Sequence, residues 1–330
     1  MIENITIINS NSQGQRLDKF LVEKLPELSR SQIQKAIKDG LALVNDKKVT
    51  VHHFLKAGDV VKIIPLSSKE GPGGGSESRE KKNKPSKPLP ASPWKGAGPK
   101  IIADEPEFLI IEKPAGLLVH PTEKGETDTL ADWLIAKYPK LKKIGEDPSR
   151  PAIVHRLDKE VSGLMLIPKT QEAFDYFKNQ FKKHTIVKKY STLVCGQIAA
   201  AEGEIDLPIG RSKNKAGLFA AKPHSQWGEK DKKAVTRFKV IKKFKNYTLL
   251  EVEILTGRTH QIRVHMLALG HPVLGDQLYG KKPTNKKTKT TPERIFLHAT
   301  RLAFSDQQGQ PREFISPWPA ELENFIRTLK

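Results

Sequence analysis

Along the first sixty residues the apolar positions change period twice, and each change marks an element. Leu17, Phe20, Leu21 and Leu25 recur at three- and four-residue intervals, which lines one face of a helix, and Pro26 closes it. Ser29 or Ser31 can cap a second helix whose inward positions are Ile33, Ala36 and Ile37 and which stops at Gly40. Its other face carries Arg30, Gln34, Lys35 and Lys38, a polar and basic surface suited to a phosphate backbone. Short β segments are predicted at Leu41–Val44 and Val49–Val51, joined by the turn Asn45-Asp46, and a last one at Val60–Ile64 follows the turn Gly58-Asp59. The pattern gives two helices on a small curled sheet.

Between residues 67 and 100 the apolar pattern disappears. Gly71-Pro72-Gly73-Gly74-Gly75 leads into a stretch of Lys, Ser and Pro that ends at Gly96-Ala97-Gly98-Pro99. Such a composition cannot bury enough apolar surface to offset its ordering entropy, so a disordered basic linker is expected between a domain at 1–66 and one at 101–330. In the second domain the pattern predicts strands at Phe108–Ile111, Val187–Val194, Val235–Ile241, Tyr247–Ile254 and Phe296–Leu302. Helices are predicted at Thr129–Tyr138 and, through Ala173, Phe174, Phe177 and Phe181, at Gln171–Lys183. Because strands and helices do not alternate regularly, the expected fold class is α+β, a mixed and mainly antiparallel sheet flanked by helices. Lys281–Thr291, rich in Lys and Thr, is expected to be an exposed loop.

Charge changes the picture more than length does. With 57 Lys and Arg against 37 Asp and Glu the 330-residue chain carries +20, which points to a polyanionic partner, nucleic acid first. The single cysteine, Cys195, stands in an apolar stretch, so neither a disulfide framework nor a Cys-based zinc site is expected. Met1 to Asn9 lacks the basic start and apolar core of a signal peptide, and no apolar run approaches the ~20 residues of a membrane span. A cytoplasmic protein is expected.

In the small domain Arg16-Leu17-Asp18, Ser29-Arg30-Ser31 with Ile37 and Gly40, Val44-Asn45 and Gly58-Asp59 stand in the order and spacing of a known module. Residues 14–64 resemble the alpha-L RNA-binding domain, although Asp46-Lys47 stands where that family usually has a glycine in the turn. The resemblance implies that the second helix and its adjoining loop contact structured RNA.

The richest stretch in the large domain runs from Ile153 to Lys169, where two apolar segments, read as strands, bracket the charged turn His155-Arg156-Leu157-Asp158-Lys159-Glu160. Side chains of such a turn project at the end of a sheet, where sites are commonly built. The tetrapeptide alone is equally consistent with a capped turn in which Arg156 pairs with Asp158, because Arg16-Leu17-Asp18-Lys19 repeats it in the small domain.

The longer context is more specific. His155-Arg156-Leu157-Asp158 followed by Ser162-Gly163-Leu164 resembles the central motif of the RluA-type RNA pseudouridine synthases, with Val161 where a Thr is common. Lys113-Pro114 with Gly116 and His120, Lys189-Tyr190, Gly257-Arg258-Thr259-His260-Gln261-Ile262-Arg263-Val264-His265, and Gly270 to Asp276 resemble that family's other motifs in the same order. The resemblance covers about residues 101–320. It implies detachment of uracil from ribose, rotation, and reattachment through carbon five, with no metal and no cofactor. Asp158 is then the reactive carboxylate, acting as a nucleophile on the sugar or as a base. Arg263 is its ionic partner, Tyr190 the aromatic that stacks on the extruded base, and Arg156 the side chain that enters the vacated space.

His260 and His265 are five residues apart, not the four that place two metal ligands on one helical face, so they and His155 are read as structural or RNA-contacting. Arg30, Lys35, Lys38, Arg156 and His155 make up the expected RNA-binding set. The expected partner is structured RNA, large-subunit ribosomal RNA before transfer RNA, met by a monomer with no membrane association. The rival from a different class is a non-catalytic RNA-binding assembly factor, which charge and the small domain alone would support.

Overall fold

The computed structural model describes residues 5–8, 14–25, 30–63, 98–122, 125–212, 217–280 and 292–329; the side chains of residues 5–8, 30, 31 and 35 are outside that description. The chain divides into two compact units, Met1–Lys87 and Pro88–Lys330.

In the first unit α1 (Leu17–Lys24) buries Leu17, Phe20 and Leu21, and α2 (Arg30–Lys38) buries Ile33 and Ile37. These side chains share one core with Ala42, Val44, Leu55 and Val61. They pack on an antiparallel sheet of β1 (Ile5–Ile8), β2 (Ala42–Val44), β3 (Lys47–Lys48) and β4 (Val60–Ile63), ordered β1-β4-β2-β3. The strand expected at Val49–Val51 falls earlier. Asn45 and Asp46 both have positive φ, 50° and 59°, and this tight turn brings Lys47 directly opposite Val44. Asn45 is fixed there, accepting from the Val60 amide and donating to Asp59, each at 2.9 Å, so the two turn motifs hold each other. Strand β1 carries no signal that the pattern reading used. Pro26, Ser29, Ile64, residues 67–97 and Lys281–Thr291 lie outside the described residues.

The second unit is built on a sheet of nine strands among the described residues. In chain order they are β5 (Lys100–Asp104), β6 (Phe108–Lys113), β7 (Ser162–Pro168), β8 (Val187–Cys195), β9 (Glu202–Asp206), β12 (Val235–Lys243), β13 (Tyr247–Ile254), β14 (Leu297–Ser305) and β15 (Pro311–Ile315). A separate hairpin, β10 (Ile209–Arg211) and β11 (Phe219–Ala221), precedes β12. The spatial order is β5-β6-β7-β14-β8-β13-β12-β9, with β15 on β14, and every pairing is antiparallel except β7 with β14. The helices are α3 (Leu130–Lys137), α4 (Gln171–Lys183), α5 (Gln261–Ala268) and α6 (Ala320–Arg327). This is the mixed, mainly antiparallel α+β architecture expected. The end of the expected linker is corrected: Lys100 already pairs with Glu112 in the sheet.

The parallel junction explains where the charged turn sits. β7 meets β14 only at Ser162 and Gly163, and a Cβ on Gly163, whose φ is +121°, would lie 2.3 Å from the Ala299 carbonyl oxygen. Only glycine allows that approach. The same Ala299 pairs with Tyr190 on β8, so the start of β7 and Tyr190 flank one strand at the middle of the sheet.

Candidate active site

Of the two apolar segments around the charged turn, only the second is a strand, β7. The first, Ile153–Val154, is irregular; Ala152 just before it holds φ +55°, which breaks an extended run. His155 then anchors the chain. Its ring stacks on Phe181 of α4 at 4.5 Å between centroids, and its Nε2 accepts from the Leu166 amide at 2.9 Å. Burial, helped by the Lys188 charge, pulls its pKa down to about 3, so the ring is neutral and anchors the chain along the cleft wall.

Lys113 fixes the far side of the turn. At the end of β6 its amine is buried and donates to the carbonyls of Pro114, Leu117 and Lys159 at 2.9, 2.8 and 3.2 Å. The Gly116 amide donates to the same Lys159 carbonyl at 2.7 Å. Burial lowers the pKa of Lys113 to about 7, against the opposing charges of Asp158 and Glu160. The residue beside Asp158 is therefore held by two donors, one at the end of β6 and one in the loop that follows it.

Asp158 faces Arg263, the third residue of α5. The guanidinium is buried, with Nη1 3.2 Å from Asp158 Oδ2 and 3.5 Å from Glu160 Oε2. Its other edge forms a two-pronged pair with Asp276, Nε to Oδ2 and Nη2 to Oδ1, each at 2.7 Å. Asp276 also accepts from the amides of Leu278 and Tyr279 at 2.9 and 3.1 Å. Burial alone would lower the pKa of Arg263 and raise that of Asp276; their mutual hydrogen bonds and charge reverse both, so Arg263 is shifted up and Asp276 down. Arg263 is thus a fixed cation with one fork spent on its anchor and one nitrogen left for Asp158.

Arg156, Asp158, Val161, Tyr190, Ile254, His260 and Arg263 line one open cleft. Tyr190 is buried on the cleft floor, and burial together with the Asp158 charge pushes its phenol pKa up. Arg156 is exposed at the rim. Among the described residues it makes no ion pair with Asp158, whereas Arg16 grips Asp18 through Nε and Nη2 at 3.0 and 2.9 Å. The repeated tetrapeptide is self-paired at the start of α1 in the small unit and divided here.

A second cleft adjoins the first, sharing Arg156, Tyr190, Ile254, Gly257 and Arg258. Arg150, Lys182 and Lys188 add positive charge to its lining. Sequence reasoning missed Lys188, whose amine sits over the Phe181 ring at 5.6 Å and whose pKa burial lowers to about 8. His265 is structural, its nitrogens 2.8 Å from Thr236 Oγ1 and 2.9 Å from the Leu207 carbonyl. Lys38 is exposed on α2; Arg30 and Lys35 belong to that helix, with side chains outside the described residues. No helix among the described residues is long and apolar enough to cross a membrane.

The RNA pseudouridylate synthase family matches residues 107–268, and the S4 domain family matches residues 15–61. An uncharacterized RNA pseudouridine synthase of Bacillus subtilis is 33% identical over 100% of this chain and 99% of its own. The ribosomal large subunit pseudouridine synthase D of Pasteurella multocida is 33% identical over 98% of this chain and 94% of its own. Among solved structures, human RNA pseudouridylate synthase domain containing 1 superposes with a TM-score of 0.55 at 26% identity, covering 69% of this chain and 87% of that one.

Proposed function

This chain belongs to the RNA pseudouridylate synthase family, and on that premise we propose that it isomerises specific uridines of large-subunit ribosomal RNA through Asp158. In the reaction the bond from uracil N1 to ribose C1′ breaks, a bond from C5 to C1′ forms, C5 loses a proton and N1 gains one. Asp158 attacks the sugar or removes its proton. Arg263 aims the carboxylate, Tyr190 stacks on the extruded uracil, and Arg156 fills the space it leaves. Stacking of roughly 1–3 kcal/mol offsets much of the few kcal/mol needed to unstack the base. The observation that supports this reading best is the buried Arg263, locked by Asp276 and reaching Asp158 within a cleft floored by Tyr190.

The division of labour that we propose places RNA capture in residues 1–66, a connecting segment in 67–99 and chemistry in 100–330. The choice of ribosomal RNA rests on the relatives bearing large-subunit names. Mapping pseudouridines in total RNA with the gene intact, deleted, or carrying Asp158→Asn tests both claims. Loss of sites in large-subunit RNA, unrestored by the variant, is the expected result. Loss confined to transfer RNA would move the substrate, and no loss at all would refute the reading.

A further inference from the structure

His260 stands at the entry to α5 in a conformation few side chains adopt, φ +56° and ψ 25°. A non-glycine residue held there costs stability and invites a functional reading. Its ring is gripped by two aromatics edge-on, Phe219 at 5.9 Å and Tyr279 at 5.5 Å between centroids. Both come from outside α5: Phe219 from the β10–β11 hairpin, Tyr279 from the segment after Asp276.

Hydrogen-bond bookkeeping determines which nitrogen carries the proton. The Phe219 amide can only donate, and it lies 3.1 Å from the Tyr279 hydroxyl, which therefore accepts. That hydroxyl has one hydrogen of its own, and His260 Nδ1 is 2.8 Å away. Among the described residues nothing else receives it, so Nδ1 accepts and the neutral ring bears its hydrogen on Nε2. Burial holds the ring toward the neutral form, with the Asp158 charge opposing and the Arg263 charge assisting. Nε2 faces Asp158 Oδ2 at 4.0 Å, too far for a direct hydrogen bond. An oxygen about 2.8 Å from both atoms fits that gap, accepting from Nε2 and donating to the carboxylate. A hydroxyl can do both, as a water molecule can before substrate binds.

We propose that His260 and Asp158 together read the ribose 2′-hydroxyl of the target nucleotide, with the Phe219–Tyr279 relay fixing the tautomer that makes His260 a donor. This rests on the reading of Asp158 as the reactive carboxylate. A carboxylate that acts at C1′ or C2′ stands near O2′, which is bonded to C2′ and one bond further from C1′. The reading deepens the function: RNA is distinguished from DNA at the reacting nucleotide itself, through a group that is both donor and acceptor.

The first measurement is histidine 15N NMR on the full chain. A protonated Nε2 and bare Nδ1 at His260 is expected, and the opposite tautomer would overturn the proposal without any substrate being needed. The second is a cycle of four titrations, wild type and His260→Asn, each against the mapped target stem-loop with uridine or 2′-deoxyuridine at the target. Half-saturation in single turnover gives affinity where turnover occurs, and competition against the uridine stem-loop gives it where it does not. Wild type should prefer the 2′-hydroxyl by roughly 10-fold, one hydrogen bond of about 1.4 kcal/mol, and His260→Asn by less than 3-fold. His260→Gln, whose amide N–H can stand where Nε2–H stood, should recover most of the preference, and Tyr279→Phe should lose part of it. Equal discrimination by wild type and His260→Asn would refute the role. Failure of Asp158→Asn to lose turnover would instead strike the proposed function and leave the tautomer result standing.

Discussion

Replacing Asp276 by Asn tests whether Arg263 depends on a buried anchor outside the cleft lining. The substitution keeps shape and one carbonyl oxygen but removes the charge and sets an N–H against the guanidinium. Asp276 accepts four hydrogen bonds, two from Arg263 at 2.7 Å and two from the amides of Leu278 and Tyr279. Both pair members are buried, at 2% and 0% side-chain exposure, so water cannot replace the lost contact. Breaking such a pair from one side costs about 3–5 kcal/mol, because a buried charge is left without its partner. At roughly 2–4 °C per kcal/mol for a unit of this size, the melting midpoint should fall by roughly 6–20 °C. The saturating rate should fall too, since a guanidinium freed from its fork can turn wholly onto Asp158 or Glu160. Urea unfolding and single-turnover kinetics on the mapped stem-loop measure the two effects. A variant within 1 kcal/mol of wild type and retaining its rate would show that Arg263 is held by something else.

Arg263→Lys should lose most activity with a smaller stability cost, because an ammonium can satisfy Asp276 or Asp158 but not grip both; wild-type single-turnover rates would disprove the forked role. Five basic residues along the second cleft, Arg150, Arg156, Lys182, Lys188 and Arg258, predict a steep salt dependence of RNA affinity. At a slope of about 0.7–0.9 per phosphate contact, a fourfold rise in salt should weaken binding roughly 100- to 500-fold, and fluorescence anisotropy showing a flat response would contradict it. Burial depresses the pKa of His298 to about 4 and that of His155 to about 3, so both rings stay neutral in the fold while the unfolded chain takes up protons below about pH 6.5. Stability should therefore be lost as pH falls from 6.5 through 4 and 3, by about 2–4 kcal/mol between pH 7 and 5, and unchanged urea midpoints over that range would show that the rings are solvated.

The helices and central strands were legible because their periodicity records burial directly. Gln171–Lys183 and Tyr247–Ile254 fall at their expected bounds. The edges were not. Val49–Val51 looks like a strand by composition, yet a two-residue turn with positive φ at Asn45 and Asp46 spends the pairing on two lysines instead. Ile153–Val154 is apolar for a similar reason that misleads: it is half-buried along the cleft wall without belonging to the sheet. Periodicity reports which side faces the core, not which backbone groups find partners.

The candidate active site divides the same way. Asp158, Arg263, Tyr190 and Arg156 could be named from motif resemblance, and they share one cleft. What holds them could not, because holding is done across distances that sequence spacing does not encode. Lys113 ends an apolar run, Phe-Leu-Ile-Ile-Glu-Lys, and a buried amine there demands three acceptors; only the fold shows that one of them is the carbonyl next to Asp158. Asp276 was visible merely as the end of a motif, thirteen residues past the arginine it locks. Tyr279 gave no signal at all, yet its hydroxyl determines which nitrogen His260 turns toward Asp158. Asp158 is thus bounded by three anchored groups: a backbone carbonyl pinned by Lys113, a guanidinium pinned by Asp276, and an imidazole pinned by Tyr279. Each anchor is buried, Lys113 at the end of β6 and Asp276 and Tyr279 in the segment that follows α5, so the geometry around Asp158 depends on how that segment and β6 pack before any RNA is bound.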